Sequence, residues 1–495
     1  MATSIDQARR DVQQRVEELK ELAETEDPRT FDDFERETWK GLLGLGMALA
    51  MLFLVRAVAR RREQRYVHDG KVYVLGKETR TSELGSRFGK VFFTRPVGRR
   101  LGFFKRAKVD LPVDRELGLC SGFSIGVVLS VTRLCAQMAF ANARATFADF
   151  CGWAPSSRST LRMVDAVGPL ARPFVEQVAV VDDDGEVLVV LVDARGAPMI
   201  GSVEYSRRRM KRAAAAANRR AEKRRRRQLD PKPRRTKGKK SKNAKCAFVG
   251  VIYTLRRTED GFDGPVNKRL YATFESHRKL FEWLQKEAKK RGYGEKRCIF
   301  LADGLDHIWS LQEEFFPKAE ACVDWYHIVE KLWAAGGCLH REGSNDLTDW
   351  VHAQKTLLRR GKLSQMFSNL SAAYATLPAK GRANQAKRKL LLDVMKHLAK
   401  NEHRMPYSKL RKDDLPIGSG AVEGAVRNLV GMRLDGPGMR WGDRSEKVLH
   451  LRCIHLNGQW NEFARFVSTR ALTLPAQPKR ARPHDAVAKV AKEAA

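Results

Sequence analysis

The chain has 495 residues and a formal net charge of +35. That length accommodates several domains and a sizeable core, and a charge excess of this size calls for a polyanionic partner, nucleic acid before an anionic membrane surface. Eight cysteines, scattered without a C-x-x-C pair, exclude a small disulfide scaffold, argue against a structural zinc and suit a reduced chain with buried thiols.

In chain order, residues 4–65 read as helix. Ile5, Val12, Val16, Leu19 and Leu22 recur near helical spacing among mixed charges, which predicts a packed or coiled arm over 1–65, with oligomerisation as its expected use. The first residues are charged and lack the basic-then-apolar layout of a signal peptide. Residues 41–55 form an uncharged apolar run of 15. A spanning helix needs about 20 such residues, so a core or docking helix is expected, although Arg60, Arg61 and Arg62 would make a positive-inside flank.

Residues 66–185 are expected to form a DNA-binding region. It opens with alternation around Gly turns near Tyr66 and Gly89, which predicts short strands. Farther on, ARATFADFC, GWAP and SSRSTLRMVDAV over 143–167 have the size and punctuation of a helix-turn-helix. Gly152 can take the left-handed bend, and Ser156 or Ser157 can cap the second helix. Arg158 and Arg162 would then stand on the exposed start of that helix, where base edges or phosphates are met. An ordinary helical hairpin fits the local pattern equally well.

From residue 186 the character changes. GEVLVVLVDARGAPM predicts a strand over 187–192 ending on Asp193, a turn at Gly196 and a second strand over 198–205. Residues 207–245 carry 20 Lys and Arg, among them Arg224, Arg225, Arg226 and Arg227, against only Glu222 and Asp230. Such a block repels itself in isolation; on DNA it would add salt-dependent affinity with little sequence choice. A third strand (246–255), a helix (275–291), a strand (298–302) ending on Asp303, a helix (306–316) stopped by Pro317, and a strand (320–323) ending on Asp324 follow. Three strands and then two helix–strand units give the order of a ribonuclease-H-like α/β core, begun by 186–338. Residues 339–415 read as a basic helical insertion, 416–465 as the end of the core, and 466–495 as a basic tail. Within LPIGSGAVEGAVRNLVGMRL, Ser419 is placed to cap a helix whose first turns hold Glu423.

Open α/β sheets do their chemistry just outside the carboxyl ends of their strands. Asp193, Asp303 and Glu423, separated by 110 and 120 residues, would meet there. Three carboxylates without nearby cations repel one another, so their meeting implies a metal. An oxygen-only set favours Mg2+ or Mn2+, and two such ions can activate a water or sugar hydroxyl and stabilise the leaving oxygen of a phosphodiester. Asp324 and His327 share a helix face at i, i+3. Arg440 and Trp441, past the Gly436-Pro-Gly break, could hold a phosphate and stack on a base.

ADGLDHIWSL and VDWYHIVEKLW, together with LPIGSGAVEGAVRNLVGMRLDGPGMRW, resemble the DDE transposases of bacterial insertion sequences, and most closely the Kra-type family, a relative of the Mutator-like transposases. The resemblance runs from the early apolar helix and PVDRELGL, through the helix-turn-helix candidate, to LNGQWNEF. It implies an Asp-Asp-Glu triad of Asp193, Asp303 and Glu423, an all-helical insertion between the second and third acids, and a supporting D-x-x-H pair in Asp324 and His327. It further implies divalent-metal-dependent cleavage at the element's ends and attack of the freed 3′-hydroxyl on target DNA. The expected partners are DNA and a second copy of the chain, in the cytoplasm at the nucleoid, with no membrane and no small-molecule substrate. VDARGAPM departs from the family's more usual Asp-Gly turn, and 207–245 replaces a shorter link. A DNA-binding derivative that has lost catalysis and a structure-selective nuclease on the same fold are the alternatives.

Overall fold

The computed structural model describes residues 3–26, 29–61, 63–102, 109–177, 183–201, 210, 244–436 and 439–475. It divides into two compact units, one formed by Met1–Val175 with Gly458–Ala495 and the other by Glu176–Asn457. Arg224, Arg225, Arg226 and Arg227, and most of the basic block around them, lie outside the described residues.

The first unit begins with α1 (Ile5–Glu24) and α2 (Phe31–Arg60), each capped by a hydroxyl: Ser4 accepts from the Gln7 amide and Thr30 from the Asp33 amide. The arm expected as helix throughout therefore breaks between Thr25 and Thr30 and folds back as a hairpin. α2 is long and apolar enough to cross a membrane, and 11% of its most apolar window is buried. One of its faces, with Met47, Met51, Leu54 and Val58, packs on Leu84, Val91, Phe93 and Val113.

Most of those partners come from an antiparallel sheet ordered β1 (Arg65–His68), β2 (Lys71–Ser86), β3 (Gly89–Arg100) and β4 (Val109–Asp110). The β2–β3 hairpin is far longer than the short strands expected. Its polar stretch lacks an apolar alternation, yet after a register shift between Leu75 and Thr79 it pairs continuously from Thr79 to Ser86, with the Thr81 and Thr94 hydroxyls 2.7 Å apart. In α3 (Pro112–Glu116), Asp114 takes the buried Arg95 guanidinium at 2.6 Å.

α4 (Ile125–Gln137) packs on α5 (Phe140–Cys151) and α6 (Ser157–Val167). Gly152 ends α5 at φ +69°, a conformation that glycine adopts without strain, and the Ser156 hydroxyl caps α6 through the Ser159 amide at 3.1 Å. The helix Trp460–Ser468 joins this unit rather than the sheet of the second; its buried Phe463 meets Phe174 edge-on at 5.2 Å.

The second unit holds a five-stranded sheet in the order β7 (Gly261–Thr273), β6 (Ala244–Thr258), β5 (Val187–Pro198), β8 (Arg297–Ala302) and β9 (Glu320–Val323). β7, β6 and β5 run antiparallel, and β8 and β9 extend the sheet in parallel with β5. The apolar residues 187–192 are all buried, as a central strand covered on both faces requires. Two expectations about strands change. β5 continues straight through Gly196 to Pro198, and the second half of the strand expected over 198–205 lies outside the described residues. The strand expected as third is the second, and β7 completes the meander.

The helix His277–Lys290 buries Leu280, Phe281 and Leu284, and Asp306–Phe315 buries Ile308 and Trp309. Asn345–Arg359, Leu363–Thr376, Arg382–Lys400 and Tyr407–Lys412 make 339–415 helical, as expected. The chain returns through Gly420–Val426, which continues into a π turn over Arg427–Gly431. Ser445–Leu456 packs on β7, where Glu446 accepts from the Thr273 hydroxyl at 2.7 Å and from the Phe274 amide at 2.9 Å. The architecture is mixed α/β with two sheets.

Candidate active site

The parallel register determines what meets at the carboxyl end of the sheet. Val192 pairs with Ala302, and Ala302 with Val323. Asp193, Asp303 and Asp324 thus stand side by side on three adjacent strands. Asp303 and Asp324 lie just past the last residues of β8 and β9, whereas Asp193 is not at a strand end as expected but within β5, which runs on to Pro198 against β6. The helix Gly420–Val426 packs on β5 and β6 and brings Glu423 within electrostatic reach of Asp193.

Asp193 is half-buried and its Oδ1 accepts from the Ala194 amide at 2.6 Å. Burial pushes its carboxyl above the usual range; the charges of Asp303 and Glu423 push the same way, and the Ala194 amide and His327 oppose them. Asp303, also half-buried, is raised chiefly by burial, against the Leu305 amide and the rings of His327 and His307. Among the described residues, no Lys or Arg forms an ion pair with Asp193, Asp303 or Glu423. Glu423 is exposed and takes a hydrogen bond from the Ser419 hydroxyl at 2.8 Å. Ser419 therefore stands at the helix start without capping a backbone amide, because its hydroxyl is turned to Glu423.

Asp324 is fully buried. Its Oδ1 accepts from the Ser419 amide at 2.6 Å, and its Oδ2 accepts from both the amide and the Nδ1 of His327 at 2.9 Å. Burial opposes its ionisation, but these bonds together outweigh burial and hold the carboxyl below the usual range. The same pairing raises His327. Trp325 N donates to the Ile417 carbonyl at 3.0 Å, so the end of β9 is tied twice to the segment that leads into Glu423. Asp324 is thus a staple, and His327 stands between it and Asp303.

Three histidines that sequence reasoning passed over lie around the Asp303 segment: His307 within electrostatic reach of Asp303, His277 against His307, and His397 against Gly304. His307 lies 3.2 Å from His277, which burial and this neighbour push down to about 4. The His397 ring lies so close to Gly304 that a Cβ there would fall 2.2 Å from Cε1; glycine is required for that approach. Burial, then Lys331 and His327, push His397 down to about 4. His307, one turn after Asp303, was within reach of a local reading. His277 and His397 arrive from distant segments.

Two proposed DNA contacts are corrected. Trp441 is 6% exposed, its Nε1 donates to the Leu434 carbonyl at 2.8 Å, and the Arg433 guanidinium lies 4.8 Å above its ring. Its backbone extends the end of β5, bonding Pro198 at 3.0 Å and Ile200 at 2.8 Å. Trp441 is core and cannot stack on a base, whereas neighbouring Arg440 is exposed. On α6 the Arg162 guanidinium is committed to the carbonyls of Pro475 (2.8 Å) and Leu474 (3.3 Å), which leaves Arg158 as the exposed cation of that helix start.

The donor chemistry around Asp193 and Asp303, two raised carboxylates with a third in reach, fits a hard divalent cation. As they stand, no three His, Cys, Asp or Glu side chains among the described residues converge closely enough to hold one; the Ser419–Glu423 bond keeps the third acid engaged elsewhere.

No protein-family model matches the chain, and no curated protein matches it. Among solved structures it is similar to the Drosophila P element transposase strand transfer complex, at 12% identity over 71% of this chain and 82% of that one, with a TM-score of 0.26. No residue role is carried over from a likeness at that level.

Proposed function

We propose that the chain is a DDE-type transposase that binds the terminal inverted repeats of an insertion sequence, cleaves there and joins the freed end to target DNA. The observation that carries this reading is the placement of Asp193 and Asp303 side by side on β5 and β8, with Glu423 within electrostatic reach of Asp193, in a chain of net charge +35. A meander followed by two parallel strands, with the first strand in the middle, supports a ribonuclease-H-like core. Asp193, Asp303 and Glu423 would hold Mg2+ or Mn2+, two ions in all, which would supply the charge that activates the attacking oxygen and stabilises the leaving one.

The chain's own groups prepare that chemistry. Asp193, within β5, and Asp303, at the end of β8, are held by the Ala194 and Leu305 amides. Asp324 fixes the Ser419 turn and so the start of the helix that carries Glu423. His327, raised toward its charged form by Asp324, has Nε2 left to donate to a phosphate oxygen. Arg158 and Arg440, with the basic block over 207–245, would neutralise backbone phosphates. A cytoplasmic, nucleoid-associated location follows from this reading.

The test uses a duplex carrying the element's ends, with Mg2+. Asp303→Asn is expected to lower cleavage and joining by at least about 10²–10³-fold while binding stays within about threefold. Undiminished joining by this variant would sink the assignment. A wild-type chain that binds but never cuts would favour the derivative that has lost catalysis, and cutting without joining would favour a nuclease.

A further inference from the structure

Helix α2 meets different surroundings on different faces. Met47, Met51, Leu54 and Val58 face the first sheet's core, and Gly41 and Gly44 lie against Leu19 and Arg15 of α1. A third face carries Trp39, Leu42, Leu49 and Phe53, which are 48%, 47%, 49% and 59% exposed. Gly46 lies between them, covered by the half-exposed ring of Phe88. Positions 39, 42, 46, 49 and 53 follow the 3-4-3-4 spacing of a seam between two helices. With Phe88, the residues Trp39, Leu42, Gly46 and Leu49 line an open apolar groove of about 560 Å3, and Phe53 continues the seam beyond it. Contiguous exposed apolar surface of this kind marks a contact site.

The charges at the two ends of α2 identify the occupant. Residues 31–38 hold Asp32, Asp33, Glu35 and Glu37 against Arg36, whereas residues 56–61 hold Arg56, Arg60 and Arg61 with no acid. Within its own chain Arg36 pairs with Asp32 and Asp33, Arg29 with Glu37 and Arg61 with Glu116, so the first end stays net acidic and Arg56 and Arg60 remain as the basic end. Reversed about Gly46, the helix complements itself: Trp39 falls opposite Phe53, and Asp32 opposite Arg60. We propose that α2 pairs antiparallel with α2 of a second copy of this chain, across a two-fold axis near Gly46. A parallel pair would set acid against acid and arginine against arginine, whereas the antiparallel pair is an isologous contact that closes at two copies. A bilayer is the poorer occupant. Two faces of α2 are already covered by the sheet and by α1, whose Arg15–Glu18 ion pair lies near Gly44. This inference does not depend on the chain cutting DNA.

The test is sedimentation velocity on the full chain at micromolar concentration and physiological salt. A species of twice 56.1 kDa is expected. Leu49→Glu with Phe53→Glu, both at exposed positions, should raise the dissociation constant at least about a hundredfold while circular dichroism and melting stay unchanged. Asp32→Arg with Asp33→Arg should weaken the dimer, and adding Arg56→Glu with Arg60→Glu should restore it. A monomeric wild type, or a dimer indifferent to these changes, would overturn the proposal. So would wild-type flotation with phosphatidylserine vesicles that the Leu49→Glu, Phe53→Glu variant loses in the absence of any dimer, which would give the face to a membrane. A chain that dimerises only when 476–495 is removed would give the groove to its own C-terminal segment, and would also overturn it.

Discussion

Asp303 and Asp324 stand at the ends of neighbouring parallel strands, at the same register level, yet their surroundings send them in opposite directions. Asp303 has one backbone amide and is raised by burial. Asp324 is more deeply buried, but three donors surround it and it is lowered. Burial alone therefore does not set the outcome; the number of donors aimed at each carboxylate does. An acid left short of donors can serve an ion or a substrate. An acid with both oxygens engaged serves the fold, and the chain uses Asp324 to pin the segment that carries Glu423.

That contrast can be broken in stages. Asp324→Ala should have the largest effect on stability, about 3–5 kcal/mol by urea denaturation, because it leaves the Ser419 amide and the His327 amide and ring without their acceptor. A loss under about 1 kcal/mol would mean the staple is dispensable. Asp193→Asn or Asp303→Asn should do the reverse and raise the melting temperature of metal-free protein by about 2–4 °C, since each removes a raised, repelled carboxylate. A lowered melting temperature would place these acids with Asp324 as structural groups.

The smallest effect concerns pH. His327 is raised above its ordinary 6.5, so its contribution is complete below that value and fades as pH climbs through the higher folded value. Asp324 is lowered below its ordinary 3.8, so its contribution is complete above that value and is lost as pH falls through the lower folded one. The pair should therefore stabilise most between these two ordinary values. The stability difference between wild type and His327→Gln should be about 1 kcal/mol there and shrink on the alkaline side. A difference that grows with pH would contradict the assigned proton.

The strands that carry the aspartates were legible because residues 187–192, 298–302 and 320–323 are short apolar runs, each ending on an acid. Parallel strands buried on both faces write that pattern directly. β7 was not legible: it lies at the sheet's edge, and GFDGPVNK reads as loop, with only its last five residues buried. The β2–β3 hairpin escaped for a related reason, since pairing between backbones needs no apolar alternation. Trp441 after Gly-Pro-Gly looked like a loop aromatic free to stack. Its depth is set by Pro198 and Leu434, partners that no local window contains. His397 gave no signal at all, because what admits its ring beside Gly304 is the absence of a side chain there.

The bonds between Trp441 and the end of β5 also bear on when the site can come into being. β5 is made early in synthesis, but its neighbour β8 is more than 100 residues away and the backbone that extends its end more than 240. Contacts of such sequence separation form late and slowly. At about 5–20 residues per second, Glu423 leaves the ribosome roughly 10–50 seconds after Asp193. Throughout that interval the nascent chain holds its first aspartate without the third acid or the residues that complete the strand carrying it. A product truncated before Glu423 would keep Asp193, Asp303 and the basic block, but would lack Glu423, Trp441 and the helix Trp460–Ser468 that completes the first unit.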